Sequence, residues 1–377
     1  MAPITFNRPY ATGREFGYMQ DAIDNLHLSG NGPFAKRCEA WLEERLGCGR
    51  ALLTASCTSA LEMAALLAGI GPGDEVVMPS FTFVSTASAV ALRGGVPVFV
   101  DIRPDTLNID ETAIEAVITP RTKALLPVHY AGVASEMDGV ASVAADHRLL
   151  VIEDAAQGVM SSYRGRALGA MGQLGCVSFH ETKNVICGEG GALLVNDPGW
   201  VERAEIVQEK GTNRTQFLRG QVDKYTWVEL GSSFLTSEIN SAFLWAQLED
   251  ADTITAERTA LWDGYHARFA ELEERELVRR PIVPAHCTHN AHMYYLLLPD
   301  RERRDRLIQH LAEREVQAVF HYIPLHSSPA GQRYGRAPVP LPVTDSISDR
   351  LVRLPLWVGM DEAHIDRVVG GVESALA

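Results

Sequence analysis

From about residue 50 the chain alternates between two apolar patterns. Residues 58–68 (TSALEMAALLA) place their apolar side chains on helical spacing, and the run 75–78, which follows the Gly71-Pro72-Gly73-Asp74 turn, reads as a strand. The exchange repeats, predicting helices over 83–92, 109–117 and 136–147 and extended segments over 97–100, 124–128 and 149–152. Strands separated in this way are joined by helical crossovers and lie in a largely parallel sheet with helices on its faces. Ligands of such sheets gather beyond the carboxyl ends of the strands, so chemistry is expected at the residues closing each run, Asp154 and Ser178 among them.

Past Gly191 a strand over 192–195 precedes a helix, and from Thr236 a long helical stretch reaches about residue 271. The Pro-rich segment 281–284 reads as a linker. It is followed by a strand over 293–298, a charged helix over 301–313, a strand over 316–320 and a terminal helix over 362–375. The fold class is therefore α/β. A large domain over 15–250 has a mostly parallel sheet flanked by helices, a smaller C-terminal α+β domain covers 251–377, and residues 1–14 form an arm.

The 377 residues suit such a pair of domains, and with 46% hydrophobic and 22% charged residues the chain carries ample material for cores. Asp and Glu number 48 against 34 Lys and Arg, a formal charge of -14 that repels polyanions and argues against a nucleic-acid partner. A small phosphorylated ligand is still compatible, because a few backbone amides at a helix start bind phosphate whatever the total charge. The six cysteines (Cys38, Cys48, Cys57, Cys176, Cys187 and Cys287) form no Cys-x-x-Cys pair and keep no ligand spacing with histidines. Neither a metal site nor a disulfide framework is expected; they read as buried free thiols in a reducing compartment. No run of about 18 apolar residues occurs, and the first residues lack a basic stretch before an apolar core. These features point away from membranes and towards the cytoplasm.

Lys183 stands in Ser178-Phe-His-Glu-Thr-Lys-Asn184, with Gly188-Glu-Gly-Gly191 just after. A lone lysine is commonly a solvated charge. Apolar residues before this one and glycines after it suit an amine partly shielded from water, which lowers its pKa and frees the nucleophilic form. Asp154 closes an apolar strand, where it either caps the next helix or holds a ring nitrogen protonated opposite a heteroaromatic ligand. The turn 54–60, containing Ser56, Cys57 and Thr58, leads into a helix whose first N–H groups lack intrahelical partners and so suit a phosphate, to which Ser178 adds a hydroxyl; an ordinary N-cap is the plainer alternative. Phe81 and Phe83 read as core aromatics, or as a flat surface for a planar ligand.

Together these pieces resemble the sugar aminotransferase family typified by the DegT and StrS proteins. The likeness covers nearly the whole chain through LSGNGPF (28–34), SCTSAL (56–61), GPGDEVVMPSFTF (71–83), PVFVDI (97–102), PVHYAG (127–132), EDAAQ (153–157) and SFHETKN with GEGG (178–191). The resemblance implies the aspartate-aminotransferase-like fold of pyridoxal 5'-phosphate (PLP) enzymes. It also implies that Lys183 is the Schiff-base lysine, Asp154 the partner of the pyridine nitrogen, Gln157 a contact of the phenolic oxygen and Phe83 the ring that stacks. Ser56, Cys57, Thr58 and Ser178 would meet the phosphate. Where the family commonly carries Gly-Tyr-Asn-Tyr-Arg, with the asparagine reaching the neighbouring subunit's phosphate, residues 231–235 are Gly-Ser-Ser-Phe-Leu, which puts Ser233 in that place and implies a homodimer with shared active sites.

A subgroup of the family shares this departure together with SFHETKN and the stretch GTNRTQFLRGQVDKYTW (211–227). By that likeness the partners are L-glutamate and a dTDP-4-keto-6-deoxy sugar, with Lys183 serving as both covalent anchor and proton carrier. His129, His180, His321 and His326 lie in strand-end or loop contexts; each is read as packed or solvated, or as a substrate contact, with His326 preferred on the substrate side. Arg214, Arg219 and Lys224 would attract the substrate's anionic groups, or form a solvated basic stretch. The related sugar dehydratases carry histidine in place of the lysine, and Lys183 argues against that chemistry. A coenzyme-free binding protein of the same fold is a second alternative. No Gly-x-Gly-x-x-Gly follows the first strand, which disfavours a nicotinamide dehydrogenase.

Overall fold

In the computed structural model, which describes residues 2–377, the apolar runs become strands. In chain order these are β1 (Arg50–Thr54), β2 (Glu75–Pro79), β3 (Val96–Val100), β4 (Thr122–Leu125), β5 (Leu150–Asp154), the hairpin β6 (Ser162–Tyr163) and β7 (Arg166–Ala167), β8 (Leu174–Ser178) and β9 (Gly191–Val195). Seven of them form one sheet in the order β1-β9-β8-β5-β4-β2-β3. All its pairings are parallel except those of β9, which runs against both β1 and β8. Alternate side chains enter opposite cores: Leu53, Val77, Leu125, Val151 and Val177 one, Leu52, Val76, Ala124, Ile152 and Cys176 the other. With both faces covered, apolar side chains are favoured at every position, which is why the strands appear in the sequence as continuous runs.

Eight helices accompany this sheet: α1 (Glu15–Asp24), α2 (Pro33–Leu46), α3 (Cys57–Leu67), α4 (Val84–Ala91), α5 (Met137–His147), α6 (Val201–Gln208), α7 (Arg214–Leu218) and α8 (Glu238–Glu249). Residues of α2, α5 and α8 fill the core on one face, and residues of α3, α4 and α6 the core on the other. The start of α3 is fixed by Ser56, whose Oγ accepts the Ser59 N–H at 3.0 Å. At Gly191, the first residue of β9, a Cβ would lie 2.4 Å from the Cys57 nitrogen, so only glycine lets β9 approach the start of α3.

Farther along, β10 (Cys287–Thr288) joins the β6–β7 hairpin, while β11 (Tyr294–Leu297), β12 (Val319–Phe320) and β13 (Leu351–Leu354) form an antiparallel sheet with β13 in the middle. The remaining helices are α9 (Ala251–Arg268), α10 (Ala270–Glu274), α11 (Arg301–Glu313), α12 (Pro329–Tyr334), α13 (Pro342–Arg350) and α14 (Glu362–Leu376). Trp262 and Tyr265 from α9, Leu307 and Leu311 from α11 and Val368 and Val372 from α14 close a separate core with Leu296 and Val352. No helix among the described residues is long and apolar enough to cross a membrane.

Three expected elements differ. Residues 109–117 form two single 3-10 turns, Glu111–Ala113 and Glu115–Val117, instead of a helix, because Ile109 is held in a bridge to Ile102 and the Asp110 side chain takes the Thr112 N–H. The long helix beyond Thr236 is broken into α8, α9 and α10 at Asp250 and Phe269. The strand expected over 316–320 is shared between two partners: Val316 bridges Ile4 of the N-terminal segment, and only Val319–Phe320 pairs with β13.

The edge of the large sheet is tied by the buried Glu75, which opens β2 and accepts hydrogen bonds from Thr119 Oγ1 (2.6 Å), Arg121 (2.7 Å) and Arg336 (2.8 Å). Burial pushes its carboxyl pKa up, but the bonds from Arg336, Thr119 and Arg121 outweigh this and hold it at about 2. A depressed carboxyl pKa contributes stability that is fully present above the ordinary value of 4.5 and is lost as pH falls towards about 2. Glu75→Gln is expected to cost about 1–3 kcal/mol at pH 7, and the difference in denaturant midpoint between variant and parent should shrink as titrations move from pH 5 to pH 3. A difference independent of pH contradicts this account.

Candidate active site

The like-directed strands bring their carboxyl ends to one edge of the large sheet, where a cavity of about 380 Å³ opens. Residues 56–58 follow β1 into its wall, 82–86 follow β2, Asp154 and Gln157 close β5, and Ser178, His180 and Lys183 follow β8. The opposing wall comes from His292 and Met293 just before β11, His321 and Tyr322 after β12, and Arg353 in β13, with Phe6 and Asn7 from the N-terminal segment.

Lys183 rides on a tight turn. Its N–H donates to the His180 carbonyl at 2.9 Å, and the Thr182 N–H donates to His180 Nδ1 at 3.2 Å, so the imidazole of His180 is part of the scaffold of that turn. No acceptor or carboxylate among the described residues pairs with the Lys183 amine. Burial lowers its pKa below the ordinary lysine value, against the opposite influence of Cys57 and Asp154.

Asp154 is buried, and its Oδ2 accepts from Thr86 Oγ1 at 2.7 Å while Oδ1 accepts from the Ala156 N–H at 3.1 Å. Burial raises its pKa; the Thr86 and Ala156 donors work against that rise and favour the anion. The preceding residue, Glu153, faces away and anchors the end of β5 by accepting from the N–H groups of Gly169 (2.8 Å), Met171 (2.6 Å) and Gly172 (2.6 Å) and from His129. Gln157 is oriented by the Ala131 N–H, which donates to its Oε1 at 2.6 Å; its Nε2 donates to the Tyr322 hydroxyl at 3.2 Å, leaving an N–H donor directed at the cavity wall.

The start of α3 contributes donors of another kind. Ser56 Oγ is engaged as the helix cap, but the N–H groups of Cys57 and Thr58 have no acceptor among the described residues, as expected for a helix's first turn. Thr58 Oγ1 shares a hydrogen bond with Ser85 Oγ at 2.8 Å, and the buried Ser178 also lines the cavity. Phe83 stands at the cavity wall with its ring more than half exposed, whereas Phe81 is fully buried among Tyr130 and Tyr322 and is a core residue.

Several expected site residues are not brought together with these. His326, preferred as a substrate contact, does not line the cavity: Nδ1 bonds Ser80 Oγ at 2.8 Å and Nε2 faces Asp345 at 3.3 Å, so one ring nitrogen ties residues 325–327 to the end of β2 and the other faces α13. His129 is fully buried between Ser135 and Glu153 and is likewise structural. Arg214 and Arg219 lie outside the cavity, paired with Glu209 (3.1 Å) and Glu205 (2.7 Å), and Lys224 is exposed. Ser233 is exposed and bridged to Glu209, outside the cavity of its own chain.

The family model described as DegT/DnrJ/EryC1/StrS aminotransferase matches residues 9–373. The chain belongs to this family. Among solved structures, it is similar to the aminotransferase TlmJ from Streptoalloteichus hindustanus, with 30% identity, a TM-score of 0.90 and coverage of 99% of this chain and 98% of that one. It is also similar to DesV of S. venezuelae, solved in complex with a ketimine intermediate, with 30% identity, a TM-score of 0.90 and 100% of both chains covered. A third, Spr1654 from Streptococcus pneumoniae, solved in a PLP form, shares the fold at 23% identity and a TM-score of 0.91, with 100% of both chains covered.

Aminotransferases of this family depend on PLP, and the cavity's own groups fit that coenzyme. They comprise an amine without a partner among the described residues, a buried carboxylate that accepts from Thr86 and Ala156, two open N–H groups at a helix start and a glycine whose missing Cβ keeps that helix start clear. Sequence reasoning missed Thr86, which orients Asp154, and Tyr322, His292, Arg258 and Arg353, which complete the far wall. Thr86 and Arg258 lie in helices whose spacing says nothing about which side chains face a ligand, and only packing of the second sheet against the first brings Tyr322, His292 and Arg353 to Lys183.

The lowered pKa leaves more of the Lys183 amine neutral at a given pH than an exposed lysine retains. In protein freed of coenzyme, reductive methylation at pH 8 is therefore expected to reach Lys183 before the exposed Lys123 and Lys224. Equal methylation rates for the three lysines, followed by peptide mass spectrometry, contradict the assignment.

Proposed function

We propose that this aminotransferase uses PLP to move the amino group of L-glutamate to the C4 ketone of dTDP-4-dehydro-6-deoxyglucose, releasing 2-oxoglutarate and giving dTDP-4-amino-4,6-dideoxygalactose. The observation that carries the amino-transfer reading is the unpartnered, shielded Lys183 amine in one cavity with the buried Asp154. The sugar is supported by the likeness of SFHETKN and residues 211–227 to the subgroup acting on that substrate. Bound PLP supplies an electrophilic carbon for the amino group and a ring that accepts the electron pair left when a carbon loses its proton.

The chain's own residues do the rest. Asp154, held by Thr86 and Ala156, would keep the ring nitrogen protonated; Gln157 would offer an N–H to the phenolic oxygen; Phe83 would lie against the ring. The N–H groups of Cys57 and Thr58, with the hydroxyls of Thr58 and Ser178, hold the phosphate, and Ser56 keeps that helix start in shape. Lys183 would take the proton from the α-carbon of glutamate and, in the second half of the cycle, deliver one to C4 of the sugar. Burial lowers its pKa from that of an ordinary lysine, which favours return of the proton, since a base that is too strong returns it poorly.

Ser233 points to a second copy of the chain as the partner. It lies outside its own cavity, on a surface that also exposes Trp227, Val228 and Leu230, an apolar stretch costly to leave in water. The working unit in this reading is a homodimer in which each segment 231–235 completes the neighbour's phosphate site.

The substrate is checked by offering dTDP- and UDP-linked 4-keto-6-deoxy sugars with L-glutamate and identifying the product. The dTDP compound is expected to give the 4-amino-galactose product, and preference for the UDP sugar transfers the reading to another nucleotide-linked ketone. Lys183→Ala is expected to lower turnover by about 10³-fold or more. Full activity in a preparation shown by sedimentation to be monomeric would remove the shared-site homodimer.

A further inference from the structure

The far wall of the cavity carries a histidine whose two ring nitrogens are placed differently. His292 stands just before β11 and is partly exposed, where it lines the cavity. Its Nδ1 lies 3.1 Å from Asn184 Oδ1, and the amide nitrogen of Asn184 donates to the Asn290 carbonyl at 2.6 Å. A carbonyl only accepts, so this second bond fixes which end of the Asn184 amide is nitrogen and which is oxygen. The oxygen faces His292, and because it too only accepts, the imidazole proton has to be on Nδ1. The backbone under the ring is itself braced: Arg258 donates to the carbonyls of Ala291 (3.2 Å) and His292 (2.7 Å), and Asn290 donates to those of Gln157 (2.8 Å) and Val159 (2.7 Å).

A neutral imidazole with its proton on Nδ1 presents a lone pair at Nε2. Shielding from bulk water, and then the charges of Lys183, Arg258 and Arg353, hold the His292 pKa well below the ordinary histidine value, so the ring stays neutral. Nε2 has no partner among the described residues, and none of these three cations donates to it. His321, on the same wall, is not determined in this way, because its Nδ1 meets the Tyr130 hydroxyl at 3.1 Å and a hydroxyl either donates or accepts. His292 Nε2 is thus an acceptor set in advance on a braced support, and an acceptor left unfilled there suits an O–H or N–H of a ligand.

We propose that His292 Nε2 accepts a hydrogen bond from the hydroxyl on C3 of the sugar, the carbon beside the ketone, and so selects substrates that carry it. The assignment rests on the sugar reading above. The Lys183 amine lies within electrostatic reach of the imidazole but makes no bond to it, which leaves the space between them to a substrate. Lys183 would return its proton to C4, so a substrate group that meets His292 beside it is one or two bonds from that carbon. In a 4-keto-6-deoxy sugar the neighbours of C4 are C3, which bears a hydroxyl, and C5, which bears a methyl; of these substituents only the hydroxyl donates. Glutamate offers no donor there. Apart from the amino group that is transferred, its reacting carbon bears a carboxylate, which a lone pair repels, and a methylene.

The test uses the holoenzyme with L-glutamate and two sugars, dTDP-4-dehydro-6-deoxyglucose and its 3-deoxy counterpart. Calorimetry follows two non-reacting ligands, dTDP-6-deoxygalactose and its 3-deoxy counterpart. The parent is expected to favour the 3-hydroxyl by about 10–100-fold in kcat/KM and in affinity, the penalty for leaving a shielded acceptor unfilled. His292→Phe, which keeps a flat ring without an acceptor, is expected to lower both measures for the hydroxylated ligands by a similar factor, so that the preference disappears. His292→Gln, whose amide keeps a donor for Asn184 and an acceptor for the cavity, is expected to retain part of it. The change in coenzyme absorbance on adding glutamate alone should alter far less than the sugar step. A merely structural histidine, acting through Asn184, would slow the glutamate step and both sugars alike with the preference intact, and that result overturns the proposal. So does a parent that takes both sugars equally, a measurement that needs no variant. A parent that responds to glutamate but takes neither dTDP sugar removes the sugar reading, and this assignment with it.

Discussion

A partly shielded amine and a buried carboxylate share one cavity, and neither neutralises the other by direct pairing. Had they formed an ion pair, Lys183 would be locked as a cation and useless as a nucleophile. The fold separates their fates by giving each its own supports. Asp154 is satisfied by a hydroxyl and a main-chain N–H, and Lys183 is presented from a turn that ends near Gly188 and Gly190, without an acceptor of its own. Much of the surrounding architecture serves this separation. The like-directed strands fix the two residues on adjacent strand ends, and Glu153, by clamping the 169–172 loop, fixes where β5 stops.

The large sheet was legible in the sequence because a strand buried on both faces has to be apolar at every position, and the loops between such strands must carry turn residues. Asp154 stood out because it closes an apolar run, the Ser56-Cys57-Thr58 turn because it leads into a helix, and Lys183 and Gln157 through the motifs around them. Where helical spacing was read without a partner in view, the reading was less secure. Residues 109–117 have the spacing of a helix, but a bridge between Ile102 and Ile109 takes the first of them into extended structure.

The far wall was not legible. Arg353 sits alone among apolar residues in a four-residue strand, and the sequence does not show which face of that strand meets the cavity. His326 failed in the opposite direction. Its loop context made it look available, yet Ser80, some 246 positions away in the chain, turns its ring into a brace. Long-range hydrogen bonds of this kind leave no local trace, so a loop histidine that braces the fold cannot be told from an available one by its neighbours in sequence.

Ile4 adds itself to the second sheet's region beside Val316, the Phe6 ring lies against Arg353, and Asn7 Nδ2 donates to the Glu181 carbonyl at 3.2 Å, two residues before Lys183. The N-terminal segment is thus a strap between the two walls of the cavity. Any rocking of one sheet relative to the other pulls on the backbone that carries the reactive amine, so opening the cleft to exchange substrates and repositioning the amine are mechanically one event.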